Sequence, residues 1–73
     1  MSTLPRVSGH DVVKALAKIG YEFDRQRGSH VILVREDPRM TVCVPDHQEL
    51  DRGTLRAIIR QVGLSVDEFV DLL

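Results

Sequence analysis

The chain has 73 residues, of which 42% are hydrophobic and 29% are charged, so we expect one small globular domain over residues 1–73. The longest apolar run, Val31–Val34, is too short for a membrane-spanning helix, which needs about 20 such residues. The formal net charge of −1 argues against a strongly basic nucleic-acid-binding protein.

The first predicted element is a helix from Ser8 to Ile19. Ser8 followed by Asp11 three positions later matches a capping box, which starts a helix. Gly20 stands where a helix commonly ends. One apolar stripe recurs at helical spacing, and its members are Val12, Val13, Leu16 and Ile19.

After this helix the apolar period changes to two, which predicts strands. Tyr21 and Phe23 alternate with acidic residues, as expected of a half-buried strand. Two further strands, rich in β-branched residues, are predicted over 30–35 and 40–44, and Pro45 ends the last one. Short turns between the strands favour an antiparallel meander; they are Arg27-Gly28-Ser29 and Asp37-Pro38-Arg39.

The remaining third of the chain predicts a polar loop over 46–52 and two helices. Asp51 or Thr54 caps the longer helix, and Gly63 ends it. Its apolar stripe is Leu55, Ile58, Ile59 and Val62. Ser65 begins a capping box for a last short helix. The predicted fold class is α+β, an α-β-β-β-α order with helices on one face of a three-stranded antiparallel sheet.

Charge is unevenly distributed along the chain. Residues 1–35 carry six basic and three acidic side chains, a net +3, whereas 36–73 carry four and eight, a net −4. Such a molecule can present a basic patch to an anion; the alternative is an ordinary solvated surface. The first residues lack the apolar stretch of a signal peptide, so we expect a cytoplasmic protein.

Histidines are the natural proton-transfer groups near neutral pH, and the chain has three of them. His30 opens the second strand directly after Gly-Ser, close in sequence to Arg25 and Arg27, which can bind a phosphate. The residues alone also allow a strand-edge histidine without a role. His10 is interpreted as a solvated helix residue and His47 as a loop residue.

Other chemistry has less support in the sequence. The histidines and acids lack the spacing of a zinc site, so no metal and no cofactor is expected, and Cys43 is interpreted as a small core residue. It cannot form an intrachain disulfide, because it is the only cysteine. A ladder on the second helix is either a solvated flank or a row of phosphate or acidic-partner contacts; it consists of Arg52, Arg56 and Arg60.

Several short motifs occur together along the chain. The central one is an Arg-x-x-Gly-Ser-His block, from Arg25 to His30. The others, in chain order, are Leu4-Pro5, Ser8-Gly9, Gly20-Tyr21, the Val-Pro-x-His segment Val44 to His47, the Gly-Thr-Leu-Arg-x-Ile helix start Gly53 to Ile58, and a closing helix near Ser65. In this order and spacing the motifs resemble the HicA family of bacterial and archaeal toxins, and the resemblance covers nearly the whole chain.

This resemblance implies a fold similar to double-stranded-RNA-binding domains. It also implies ribosome-independent cleavage of mRNA, inhibition by a HicB-type antitoxin, and a catalytic role for His30. RNA supplies its own 2′-hydroxyl nucleophile, so a histidine base and charge stabilisation are sufficient without a metal. Arg25, Arg27 and Ser29 are then expected to contact phosphate, with His47 as a further RNA contact. The alternative is a non-catalytic RNA-binding or protein-binding module of the same fold.

Overall fold

A computed structural model describes residues 3–73 of the chain. Part of the signal-peptide expectation rests on Met1 and Ser2, which lie outside the described residues. None of the helices in the described range is long and apolar enough to cross a membrane. The elements in chain order are α1 (Gly9–Ala17), β1 (Glu22–Arg27), β2 (His30–Arg35), β3 (Met40–Pro45), α2 (Arg52–Gln61) and α3 (Val66–Val70).

Local hydrogen bonds define where the helices begin. The Ser8 hydroxyl accepts from the Asp11 N–H at 3.0 Å, and the Asp11 carboxylate accepts from the Ser8 N–H at 3.1 Å. Asp51 caps α2 by accepting from the backbone N–H of Thr54 at 3.0 Å, so Asp51 and not Thr54 is the cap. The capping box predicted at Ser65 is also present. These hydrogen bonds confirm the predicted helix starts. The starts were predictable because each cap depends on residues only three positions apart.

The three strands form one antiparallel sheet in the order β1-β2-β3, and the helices cover one of its faces. Alternate residues of β2 and β3 point toward the helices and are almost completely buried, as the period of two requires. These are Val31, Leu33, Val42 and Val44, which join a core with Val12, Leu16, Leu55 and Phe69. The predicted α+β fold class is confirmed.

The first strand differs from its prediction. The strand begins after Tyr21, which is buried, and all six of its residues are exposed. Phe23 is 60% exposed, because β1 is an edge strand that the helical layer covers only in part. The expected half-buried strand is therefore wrong. Other boundaries differ from the prediction by one or two residues: α1 ends at Ala17, β1 includes Arg27, β3 extends through Pro45 and α2 begins at Arg52.

The prediction that Cys43 is a small core residue is wrong. It is exposed in the middle of β3, where it lies opposite Ile32 of β2. Its neighbours Val42 and Val44 point toward the helices, so the alternation along the strand turns Cys43 to the other face.

Candidate active site

One face of the sheet is covered by none of the helices in the described part of the chain. This face, here called the open face, collects most of the predicted site residues. Two rows of paired residues define it. One row crosses the sheet at the β1–β2 turn, and the next row on this face lies two residues further along each strand. The rows are Arg27, His30 and Pro45, and then Arg25, Ile32 and Cys43. Side chains far apart in sequence therefore meet on one uncovered surface.

A β-bulge decides which side chains of β1 reach the open face. Strict alternation would place Phe23, Arg25 and Arg27 on the same side of the sheet. The pairing register shifts between Phe23 and Arg25, with Asp24 as the extra residue. Phe23 consequently lies on the helix side, whereas Arg25 and Arg27 lie on the open face with His30. The bulge thus joins two guanidinium groups to the histidine.

The turn that carries His30 is held by hydrogen bonds to the loop after β3. Gly28 has a φ of +58°, and a glycine with positive φ at the first of two turn residues is typical of a type II′ hairpin turn. The Asp46 N–H donates to the Ser29 carbonyl at 2.6 Å. The Gln26 side-chain amide donates to the Gly28 carbonyl at 3.1 Å and to the Asp46 carboxylate at 3.2 Å. These bonds limit the freedom of the strand start where His30 sits.

Gln26 and Asp46 hold the turn next to His30, and the sequence did not predict either contact. They lie 20 positions apart, and neither belongs to a motif that would mark it as a partner of the turn. The only signal was that each falls at a variable position of a quoted motif, Gln26 in the Arg-x-x-Gly-Ser-His block and Asp46 in the Val-Pro-x-His segment. Their contact follows from the register of three strands, which no local pattern specifies.

The two arginines of the open face differ in their pairing. Arg25 forms an ion pair with Asp24, and its side chain remains 59% exposed. Exposed pairs of this kind contribute only about 0–1 kcal/mol, so the guanidinium can exchange the carboxylate for a phosphate. Arg27 has no ion pair within the described residues. It lines a shallow depression together with His30, Ile32 and Cys43.

His47 lies at the same end of the sheet but not in that depression. Its carbonyl accepts from the Gly9 N–H at 2.9 Å, and its side chain is exposed. A side chain at Gly9 would collide with the Pro45 carbonyl, so this glycine allows α1 to approach the loop closely. The structure therefore brings the His47 backbone near the hairpin of His30 and leaves its imidazole in solvent.

The remaining predicted groups do not share the open face. The arginine ladder lies on α2, whose buried residues pack on the other side of the sheet, and His10 lies on α1 in the same helical layer. Among the described residues, no three His, Cys, Asp or Glu side chains are grouped closely enough to hold a metal ion. The ladder, which consists of Arg52, Arg56 and Arg60, thus lies in the helical layer and not on the open face.

Comparison with known families identifies the chain. A family model described as the HicA toxin of bacterial toxin–antitoxin systems matches residues 9–64. The chain belongs to the HicA toxin family. It is thus the toxin of a toxin–antitoxin system, which implies an antitoxin partner. The match includes the hairpin with His30, whereas Leu4-Pro5 and the α3 start at Ser65 lie outside it. No curated protein matches the chain closely enough to count as a relative.

Proposed function

We propose that the toxin is a metal-independent endoribonuclease that cleaves mRNA on the open face, with His30 as the general base. The observation that carries the proposal is the gathering of His30, Arg25 and Arg27 on one uncovered face of the sheet. A phosphodiester needs a proton acceptor beside its 2′-hydroxyl and positive charge beside its phosphate, and this combination supplies both.

The reaction begins when the His30 imidazole takes the proton of the 2′-hydroxyl. The 2′-oxygen then attacks the adjacent phosphorus, and the bond from phosphorus to the 5′-oxygen breaks. The departing 5′-oxygen takes up a proton from water, and His30 releases its proton to solvent. The products are a 2′,3′-cyclic phosphate and a 5′-hydroxyl. Because nucleophile and phosphate belong to one nucleotide, much of the rate comes from their proximity.

Arg25 and Arg27 balance the negative charge that accumulates on the phosphate oxygens during attack. Ser29 contributes its hydroxyl as a donor to a phosphate oxygen, since only its carbonyl is used by Asp46 in the described structure. His47 contacts the RNA beyond the cleavage site, because its side chain is exposed at the same end of the sheet.

The first test compares His30→Ala with His10→Ala in digestion of a purified RNA. We expect His30→Ala to lower the cleavage rate about 10²–10⁴-fold, the usual contribution of a general base. His10→Ala removes an imidazole on the helix side of the sheet, away from the open face, so at saturating RNA it should retain the wild-type rate. His30 is exposed, so circular dichroism should show both variants folded.

The chemistry of the cut ends provides the contradicting outcomes. Cleavage should persist in excess EDTA, and mass spectrometry should find cyclic phosphate and 5′-hydroxyl ends. Magnesium-dependent cleavage that leaves 3′-hydroxyl and 5′-phosphate ends would refute the mechanism. Full activity in folded His30→Ala would remove the catalytic assignment, and RNA binding without any cleavage would support a non-catalytic module instead.

The same proposal predicts which surface of the toxin the antitoxin binds. A HicB-type antitoxin silences the enzyme by covering the open face with an acidic or RNA-like surface, and such charge pairing weakens as salt increases. The double variant Arg25→Glu and Arg27→Glu should lose both cleavage and antitoxin affinity, as measured by titration calorimetry. Its matched control is Arg52→Glu with Arg56→Glu, which makes the same change of charge in the helical layer.

Cys43 offers an independent readout of that interface. It is exposed on the open face, so a small alkylating reagent should modify it in the free toxin. The bound antitoxin should slow this reaction, because it covers the neighbouring Arg27 and His30. Unprotected Cys43 in the complex, with antitoxin affinity unchanged in the glutamate variant, would mean that the antitoxin docks elsewhere.

A further inference from the structure

A second groove lies on the opposite side of the β1–β2 hairpin from His30. Phe23 and Val13 form its apolar part, and His10, Gln26 and Asp46 stand at its polar rim. Its volume of about 250 Å³ falls below the roughly 300–1,000 Å³ of pockets for drug-sized ligands. The groove therefore suits a single ring system rather than a larger molecule.

The presence of an aromatic ring at position 23 is not explained by packing in the core. The other phenylalanine, Phe69, is fully buried in the core, whereas Phe23 is 60% exposed. An exposed aromatic ring beside a half-buried valine offers a flat apolar surface. Such surfaces bind unpaired bases by stacking, which is tolerant of base identity.

The polar rim restricts the chemistry of the occupant. The Gln26 amide uses its donors on the Gly28 carbonyl and the Asp46 carboxylate. A carboxylate has about four acceptor sites, so Asp46 retains capacity for another donor. The negative charge of Asp46 also repels phosphate, so the part of a nucleotide that enters the groove is its base. Adenine, cytosine and guanine each carry an amino group that can donate to a carboxylate.

The groove is continuous with the proposed cleavage site around the edge of the sheet. Gln26 and Arg27 are adjacent residues of β1 that face opposite sides, and in residues 3–73 no further strand pairs with the outer edge of β1. One RNA strand can therefore place a phosphate on Arg27 and turn a neighbouring base around the hairpin into the groove.

We propose that this groove binds one unpaired, amino-bearing nucleobase of the substrate, stacked on Phe23 and hydrogen-bonded to Asp46. The inference rests on the proposed function for its substrate class, and it makes Phe23 and Asp46 specificity-determining residues. Uracil is disfavoured, because its single Watson–Crick donor lies between two carbonyl oxygens that face the carboxylate.

The test measures binding rather than cleavage. Fluorescence anisotropy with 2′-O-methyl tetranucleotides of A, C, G or U reports affinity for RNA that cannot be cut. We expect the wild type to bind the first three more tightly than the uridine strand. Phe23→Ala should weaken binding about 5- to 150-fold, the range measured for loss of one stacking contact. Asp46→Asn keeps an acceptor for Gln26 and should reduce the preference against uridine.

Two matched controls separate the groove from general effects. Leu73→Ala trims another exposed apolar residue, which is 49% exposed and lines a different depression with Lys14 and Lys18, and should leave affinity unchanged. Asp37→Asn removes one negative charge in the β2–β3 turn, so it corrects for the general strengthening of RNA binding when a carboxylate is lost.

Each outcome decides the proposal. Equal affinities for all four strands, or equal effects of Phe23→Ala and Leu73→Ala, would overturn it while cleavage by the wild type stands. If the wild type does not cleave RNA but still shows the base preference, the proposed catalysis is refuted and the assignment of the groove as a base-binding site stands. If Phe23→Ala weakens only the antitoxin complex, the groove is a protein contact and the nucleobase assignment is wrong.

Discussion

The two faces of the sheet differ sharply although the same strands build both. On the helix side, Leu33 and Val42 are each 1% exposed. One residue away in sequence, Ile32 is only half-buried and Cys43 is exposed. Burial of apolar area supplies most of the stability of a small domain, so the helix side carries that stability. The open face is free to carry charge and reactive groups, and neighbouring substitutions should separate the two roles.

The largest expected difference between the faces is in the free energy of unfolding. Leu33→Ala leaves a cavity in the core and should destabilise the toxin by about 2–5 kcal/mol. Ile32→Ala removes a half-buried side chain without a cavity and should lose only about 1 kcal/mol. Urea unfolding followed by circular dichroism measures both. Equal losses would show that the open face is packed against something in the free toxin.

The second difference concerns the salt dependence of RNA binding. Each phosphate contact on a single strand contributes about 0.7 to the slope of log affinity against log salt. Arg27→Gln should flatten the slope by about this amount, whereas Arg56→Gln in the helical layer should leave it unchanged. Fluorescence anisotropy at several salt concentrations with an uncleavable RNA provides the comparison. A similar change in both variants would place RNA on the helices as well.

The smallest expected effect is on acid stability, and it belongs to the helical layer alone. Hydrogen bonds from the Ser8 N–H to Asp11, and from the Thr54 hydroxyl and N–H to Asp51, lower the pKa of both carboxyls below 3.8. The unfolded chain therefore binds protons first as the pH falls. The contribution of these caps is complete above pH 3.8 and is lost as the pH falls through the lowered folded-state values.

Urea unfolding between about pH 5 and pH 2 tests this sign. The variant Asp11→Asn with Asp51→Asn should lose stability less steeply than the wild type on acidification. Its control replaces Glu49 with Gln and Asp71 with Asn, whose carboxylates accept no hydrogen bond in the described contacts. If the control variant loses stability as gradually with falling pH as the capping variant does, the pH dependence comes from overall charge and not from the caps.

The sequence by itself determined the order of the elements, the fold class and the family. The helix starts at Ser8, Asp51 and Ser65 were predictable because the capping partner is three residues away in each case. The hairpin at Gly28-Ser29 was predictable for the same reason, since its turn is local. The catalytic role of His30 stays a prediction that rests on the family resemblance and on the position of Arg25 and Arg27 beside it on the open face.

Only the tertiary structure decided which side chains share a face. Alternation alone would have placed Phe23, Arg25 and Arg27 together, and one extra residue at Asp24 separates the ring from the arginines. A single inserted residue reverses the side of everything beyond it, because the side-chain period of a strand is two. The position of that insertion appears only in the pairing of β1 with β2, because the turn residues set where the hairpin reverses and not where along the strand the register shifts.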